Sequence, residues 1–274
     1  ITYNLDGGNV SPANPTSYNI ETATFTLNNP TKEGYTFAGW TGSNGTTAQT
    51  SVSISTGTTG NKTYTANWTA KTTTLTLNAT TNNGTYTGTT PRTMTYDSNS
   101  NNSIGIASKP GYTFTGWFTS ATGGTKVYDA SGNIVAATGY WSAAYSSGVW
   151  KNTSATLTLY AQFSKNPYTI AFNSNKPSDA TASVSGTTSN SSCTYDTECL
   201  LTANGYTLSG WIFTGWNTKE DGTGTAYLNE ASVVRLTTTS SANIVLYAQW
   251  IRNDAQLVIF KDGASYANSG MQDS

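Results

Sequence analysis

The chain has 274 residues, of which 13 are basic and 14 acidic, so it carries almost no net charge and only 10% of it is charged at all. With no basic run to displace counterions from phosphate, nucleic acid is a poor partner, and no apolar stretch is long enough to span a membrane. Histidine is absent, which removes Ser-His-Asp and Cys-His catalysis and histidine-liganded metal sites.

Threonine is the commonest residue, yet an aromatic fraction of 12% is too high for a disordered polar chain. Threonine and aromatic residues suit a pleated, half-buried surface, so the chain reads as mainly β, with no helical apolar period. No signal peptide is evident, and opening directly on a strand at Ile1 is expected of a processed form or an excised piece.

Ile1, Tyr3 and Leu5 alternate with polar residues, as in a strand with one buried face, before Asp6-Gly7-Gly8 turns the chain. A second strand candidate carries Tyr18, Ile20, Phe25 and Leu27 and is broken by Asn28-Asn29-Pro30. Then comes the block Gly34-Tyr35-Thr36-Phe37-Ala38-Gly39-Trp40, read with Tyr35 and Phe37 on one face. Its two glycines are expected to permit a bend or a close backbone approach. Tyr64, Ala66 and Trp68 share a face of the closing strand, completing a first unit over 1–70.

The second unit, 71–165, opens with Leu75 and Leu77, and Tyr96-Asp97 falls where Tyr18-Asn19 does in the first. The block returns as Gly111-Tyr112-Thr113-Phe114-Thr115-Gly116-Trp117, and the closing strand as Leu159-Tyr160-Ala161-Gln162-Phe163. Between them lies an enlarged loop, 131–154, carrying Tyr140, Trp141, Tyr145 and Trp150.

The third unit, 166–251, opens with Tyr168, Ile170 and Phe172 and repeats the block as Gly210-Trp211-Ile212-Phe213-Thr214-Gly215-Trp216. A decoy at Gly205 to Trp211 is set aside, because the polar turn Asn217 to Gly222 follows the later copy. Leu246-Tyr247-Ala248-Gln249-Trp250 closes the unit. Within 252–274, Leu257, Val258, Ile259 and Phe260 resemble an opening strand with nothing after it to pack against.

A supersecondary unit recurring at long period marks a tandem array. Its recurring positions are core-forming: Tyr35, Phe37, Trp40, Trp68, Tyr112, Phe114, Trp117, Phe163, Trp211, Phe213, Trp216 and Trp250. The pattern Gly-Tyr-Thr-Phe-x-Gly-Trp, followed by (Leu/Tyr)-x-Ala-x-(Trp/Phe), resembles the Listeria-Bacteroides repeat, to which the internalin B-repeats are related. The likeness runs through nearly the whole chain to about residue 251, with Trp211 and Phe163 as aromatic-for-aromatic departures. It implies a mainly β, tandem array of three small β-grasp-like modules on an extracellular bacterial surface protein, acting as stalk, spacer or adhesive segment, without shared catalytic residues or cofactors.

Glu198, Glu220, Asp221 and Glu230 are the carboxylates a glycosidase pair could draw on, but they fall in hairpin turns and read as solvated turn residues. Asp129-Ala130-Ser131-Gly132-Asn133 lacks the bidentate glutamate of a calcium loop and reads as a turn. Cys193 and Cys199 are too far apart to bridge along a straight strand; a tight turn near Asp196 would bring them together, and a disulfide is expected in an extracellular setting.

Tyr140, Trp141, Tyr145 and Trp150 form either a sugar-stacking platform or a satellite of the unit's own core, the latter preferred because small modules need their large apolar groups buried. Leu257 to Phe260 could complete a sheet in another molecule, building a filament, or could begin a further truncated repeat. The leading expectation is a non-enzymatic cell-surface array whose partners are other surface proteins or glycans. Strand-donating filament and carbohydrate-binding module are the alternatives.

Overall fold

A computed structural model describes residues 1–99, 103–135, 139–141 and 148–253 in full, and the backbone of 257–259 and 265–267. The chain divides into two compact units, Ile1–Lys109 with Phe114–Phe163, and Pro110–Thr113 with the chain from Ser164 onward. Among the described residues the regular structure is β, apart from one 3₁₀ turn at Thr80–Asn82.

The first segment supplies β1 (Thr2–Asn4), β2 (Phe25–Thr26), β3 (Tyr35–Gly42), β4 (Gly45–Gln49), β5 (Ser53–Ile54) and β6 (Thr63–Ala70). The second supplies β7 (Thr72–Asn78), β8 (Arg92–Thr95), β9 (Tyr112–Phe118), β10 (Lys126–Tyr128) and β11 (Thr156–Lys165). The third supplies β12 (Pro167–Asn173), β13 (Ser191–Thr194), β14 (Cys199–Leu200), β15 (Trp211–Asn217), β16 (Ala226–Tyr227), β17 (Ser232–Val233) and β18 (Ala242–Arg252). Beyond them, β19 (Leu257–Ile259) and β20 (Ser265–Ala267) pair antiparallel.

Among the described residues three larger sheets result, ordered β1-β6-β3-β4, β10-β9-β11-β7-β8 and β13-β12-β18-β15-β16, with β2-β5, β14-β17 and β19-β20 as two-stranded ladders. In each larger sheet, the closing strand lies between the opening strand and the strand of the Gly-aromatic block. Opening and closing strands run parallel: Tyr3 opposite Tyr64, Leu75 opposite Leu157, Ile170 opposite Ile244. That parallel pairing matches the β-grasp-like expectation. Among the described residues, however, the layer over the sheet is irregular chain and short ladders, with no α-helix.

Each larger sheet has its own core, and each core holds one block tryptophan. Trp40 packs with Leu27, Val52, Ile54 and Tyr64, Trp117 with Leu75, Leu159 and Val127, and Trp216 with Ile170, Leu201 and Leu246. All three indoles are fully buried. A phenylalanine meets each one edge-on, with Phe37–Trp40 centroids 5.4 Å apart, Phe114–Trp117 5.5 Å and Phe213–Trp216 4.9 Å. The same phenylalanines also touch the closing-strand aromatics Trp68, Phe163 and Trp250.

In a regular strand Phe37 and Trp40, three residues apart, would face opposite sides. The pairing register shifts between Phe37 and Gly39, and again between Phe213 and Gly215, which turns the tryptophan onto the phenylalanine's side. Gly39 (φ +133°) and Gly215 (φ +145°) sit in a backbone region that side-chain-bearing residues rarely adopt. The alternation expected from sequence placed Tyr35 with Phe37. In the fold the register from Tyr35 to Phe37 is unbroken, so the two still share a face; the bulge adds Trp40 to that side, and Tyr35, at the start of the strand, reaches the next repeat.

Candidate inter-repeat docking site

In the first unit, Tyr35 stands at the start of β3 and packs edge-on against Tyr96, which directly follows β8. Their ring centroids are 5.5 Å apart. Gly34 must be glycine for two reasons: its φ is +76°, and a Cβ there would overlap the Tyr96 ring. Tyr35 Oη donates to Asp97 Oδ2 at 2.9 Å, and Lys151 pairs with the other oxygen of that carboxylate. Backbone bonds bracket the contact: Lys71 N–H donates to Gly34 O at 2.9 Å, and Tyr96 N–H to Lys71 O at 2.9 Å.

Asp97 is left-handed (φ +60°), a conformation that aspartate and asparagine tolerate better than most residues, and this aims its carboxylate at the tyrosine. Burial raises its pKa, but hydrogen bonds from Lys151 and Tyr35 outweigh that and hold it below the ordinary carboxylate range. Burial, then the bond to Asp97, pushes Tyr35 up to about 12.

The second unit contains the same arrangement. Tyr112 packs on Tyr195 with centroids 5.6 Å apart, and its hydroxyl donates to Asp196 Oδ2 at 2.8 Å. A Cβ on Gly111 (φ +78°) would overlap the Tyr195 ring. Asn166 N–H donates to Gly111 O at 3.0 Å and Tyr195 N–H to Asn166 O at 2.8 Å, while Arg235 Nε donates to Asp196 Oδ1 at 2.7 Å. Asp196 is also left-handed (φ +56°). The bonds from Tyr112 and Arg235 hold its pKa below the usual range, and the bond to Asp196, with burial, raises Tyr112.

The two Tyr-Asp turns are braced differently. Cys193 and Cys199 are joined across the Tyr195-Asp196 turn as a disulfide with Cα atoms 5.6 Å apart. At the Tyr96-Asp97 turn the enlarged loop takes this part. Asp97 N–H donates to Trp150 O at 2.9 Å, Trp150 N–H to Ser98 O at 3.0 Å, and Lys151 reaches the Asp97 carboxylate. Trp150 and Trp141 are 0% and 3% exposed, belong to the core around Trp117, and meet each other at 5.3 Å; Tyr140 is half-buried against the same core. Covered in this way, Trp141 and Trp150 have no free ring face for a sugar. Tyr145 lies outside the described residues.

The remaining candidates fall away from this contact. Glu198, Glu220, Asp221 and Glu230 are exposed, with Asp221 Oδ1 accepting from Thr223 N–H at 3.0 Å in a hairpin turn. Asp129 Oδ1 accepts from Ser131 and Asn133 N–H, closing its own turn. No group of three or more potential metal-binding side chains occurs among the described residues, and no helix is long and apolar enough to cross a membrane. Leu257, Val258 and Ile259, expected to have nothing to pack against, pair through their backbone with Ser265–Ala267. Phe260 is outside the described residues. Tyr18-Asn19, expected to match the other turns, differs: Asn19 is not left-handed, and its side chain accepts from Glu21 N–H and Thr22 Oγ1.

Two outcomes follow from this chemistry. A carboxylate with a depressed folded pKa contributes stability above its unfolded pKa of about 4 and loses it as pH falls through the folded value. The Tyr35–Asp97 contact should therefore weaken below about pH 4. With 38% of the Asp97 side chain in solvent, the loss should stay under about 1 kcal/mol. Melting curves from pH 6 downward should show an acid-dependent decline that Asp97→Asn reduces. Separately, replacing both cysteines by serine should lower the stability of the third repeat by about 2 kcal/mol, read as a lower denaturant midpoint at unchanged slope.

Comparison with known proteins agrees with this repeated design. The model of the Listeria-Bacteroides repeat domain matches residues 1–67, 74–140 and 168–249. A protein described as a Gly-rich membrane protein of Evansella cellulosilytica is 32% identical over 163 residues, covering 59% of this chain and 16% of its own length. Internalin H of Listeria monocytogenes is 33% identical over 144 residues, covering 50% of this chain and 20% of its own length. The chain thus spans a fifth or less of these curated relatives, and no solved structure matches it.

Proposed function

Because the chain belongs to the Listeria-Bacteroides repeat family, we propose that it is a non-enzymatic segment of a bacterial cell-surface protein, a spacer or adhesive stalk whose repeats are joined in one direction. The observation that carries this reading is the Gly-Tyr edge of one repeat seated on the Tyr-Asp turn of the next, built twice from the same residue types. Repeats held by ring packing, a charged hydrogen bond and a one-residue backbone bridge resist bending more than repeats on a free linker. Cell-surface location and contacts with other surface proteins or glycans belong to the same proposal.

Solution scattering tests it. The intact chain should behave as an extended particle with a narrow range of dimensions, and Tyr35→Ala with Tyr112→Ala should broaden that range while the three cores stay folded. A compact particle unaffected by the two substitutions would refute the spacer reading. The strand-donation alternative rests on residues 257–260 alone. Deleting 252–274 without any change in assembly state would exclude it.

A further inference from the structure

Among the described residues, two of the three Gly-aromatic edges are covered and the third is open. Gly34 and Gly111 are buried beneath Tyr96 and Tyr195, whereas Gly210 is exposed and a Cβ placed on it would meet nothing within 4 Å. The backbone of Gly210 matches its counterparts. Its φ is +80°, against +76° and +78°. Asn253 N–H donates to Gly210 O at 2.9 Å, the bond that Lys71 makes to Gly34 and Asn166 to Gly111. Trp211, half-buried, takes the tyrosine's place, and its indole N–H can donate to a carboxylate as a phenol does. The Arg252 guanidinium lies over the Trp211 ring at 5.5 Å, as Lys32 Nζ lies over Tyr35 at 4.4 Å.

From these correspondences we propose that the Gly210–Trp211 edge is a docking site for a further repeat bearing a Tyr-Asp turn. The incoming tyrosine would cover Gly210, its backbone N–H would bond Asn253 O, and the aspartate would accept from Trp211 Nε1 beside Arg252. Arg252 already pairs with Asp179 at 2.6 Å, so the turn itself decides the occupant. Asp97 and Asp196 are left-handed, whereas Asn19 of the chain's own first repeat is not, and its side-chain oxygen is engaged by Glu21 N–H and Thr22 Oγ1; the occupant is therefore a Tyr-Asp repeat and not the head of a second copy. The assignment goes beyond the proposed function, since it holds for a spacer and an adhesive segment alike.

The test inserts a second copy of residues 167–253 after Asn253, leaving the remainder of the chain in place. The inserted copy carries Trp211→Tyr so that the native Trp211 peptide is distinguishable by mass. Hydroxyl-radical labelling of Trp211 should fall severalfold on insertion, and should return to its starting level when the copy also carries Tyr195→Ser and Asp196→Ser. A parallel insertion of residues 72–165 offers the Tyr96-Asp97 turn and should protect Trp211 equally. Unchanged labelling with both insertions would overturn the proposal, as would protection that survives the double serine substitution. Protection of Trp211 in the uninserted chain on raising its concentration would point to a second copy instead, and would also overturn it.

Discussion

Trp117→Ala is expected to lower stability by about 3–5 kcal/mol, the range for deleting a fully buried large aromatic. The indole is 0% exposed, meets Tyr86 at 5.1 Å and Phe114 at 5.5 Å, and donates from Nε1 to Gly105 O at 2.9 Å. Alanine would leave a cavity at the centre of one core and an unpaired carbonyl at its edge. A loss of this size exceeds what a repeat of roughly 70–95 residues holds in reserve. Hydrogen exchange resolved by peptide should show protection lost from β7 to β11, while β12 to β18 keep theirs. Uniform loss across all three sheets would mean that the cores do not fold separately.

Gly39→Ala should be nearly as damaging for a different reason. At φ +133° the conformation alone costs about 1–3 kcal/mol for a residue with a side chain. The new Cβ would also lie 2.6 Å from Gln49 N, so β4 must move or the bulge must straighten. Straightening would return Trp40 to the face opposite Phe37 and empty the core. Gly45→Ala is the matched control: its φ is +109°, but a Cβ there meets nothing within 4 Å. Chemical denaturation should show a much larger fall for Gly39→Ala than for Gly45→Ala, and equal falls would remove the bulge from the argument.

Much of the architecture could be read from residue order. Aromatic and glycine positions recurring at long period announced three similar β segments, and Trp40, Trp117 and Trp216 as core residues. The disulfide was legible because a turn near Asp196 is the local geometry that lets residues 193 and 199 meet. The bulge was not legible: alternation assigns faces by parity, and one inserted residue reverses that parity without any change in composition. The role of Asp97 and Asp196 was hidden too. An Asp after a Tyr in a turn looks like any solvated turn residue until a tyrosine 62 or 84 positions earlier is seen to donate to it.

The aromatic loop divides in the same way. Its composition suited a sugar platform or, preferably, a core satellite, and in the fold Trp141 and Trp150 are buried in the core around Trp117. Its further task, bracing the Asp97 turn through the Trp150 backbone and Lys151, depends on groups that carry no distinctive sequence signal.

By itself, then, the sequence determined the repeat, the β character and the aromatic hubs, because those follow from periodicity and from what can be buried. Tertiary structure alone decided on which side of the strand the block tryptophans lie, which glycines lie beneath a neighbour's ring, and which edge stays uncovered among the described residues. Those properties arise where residues far apart in the chain come together, and no local pattern encodes that separation.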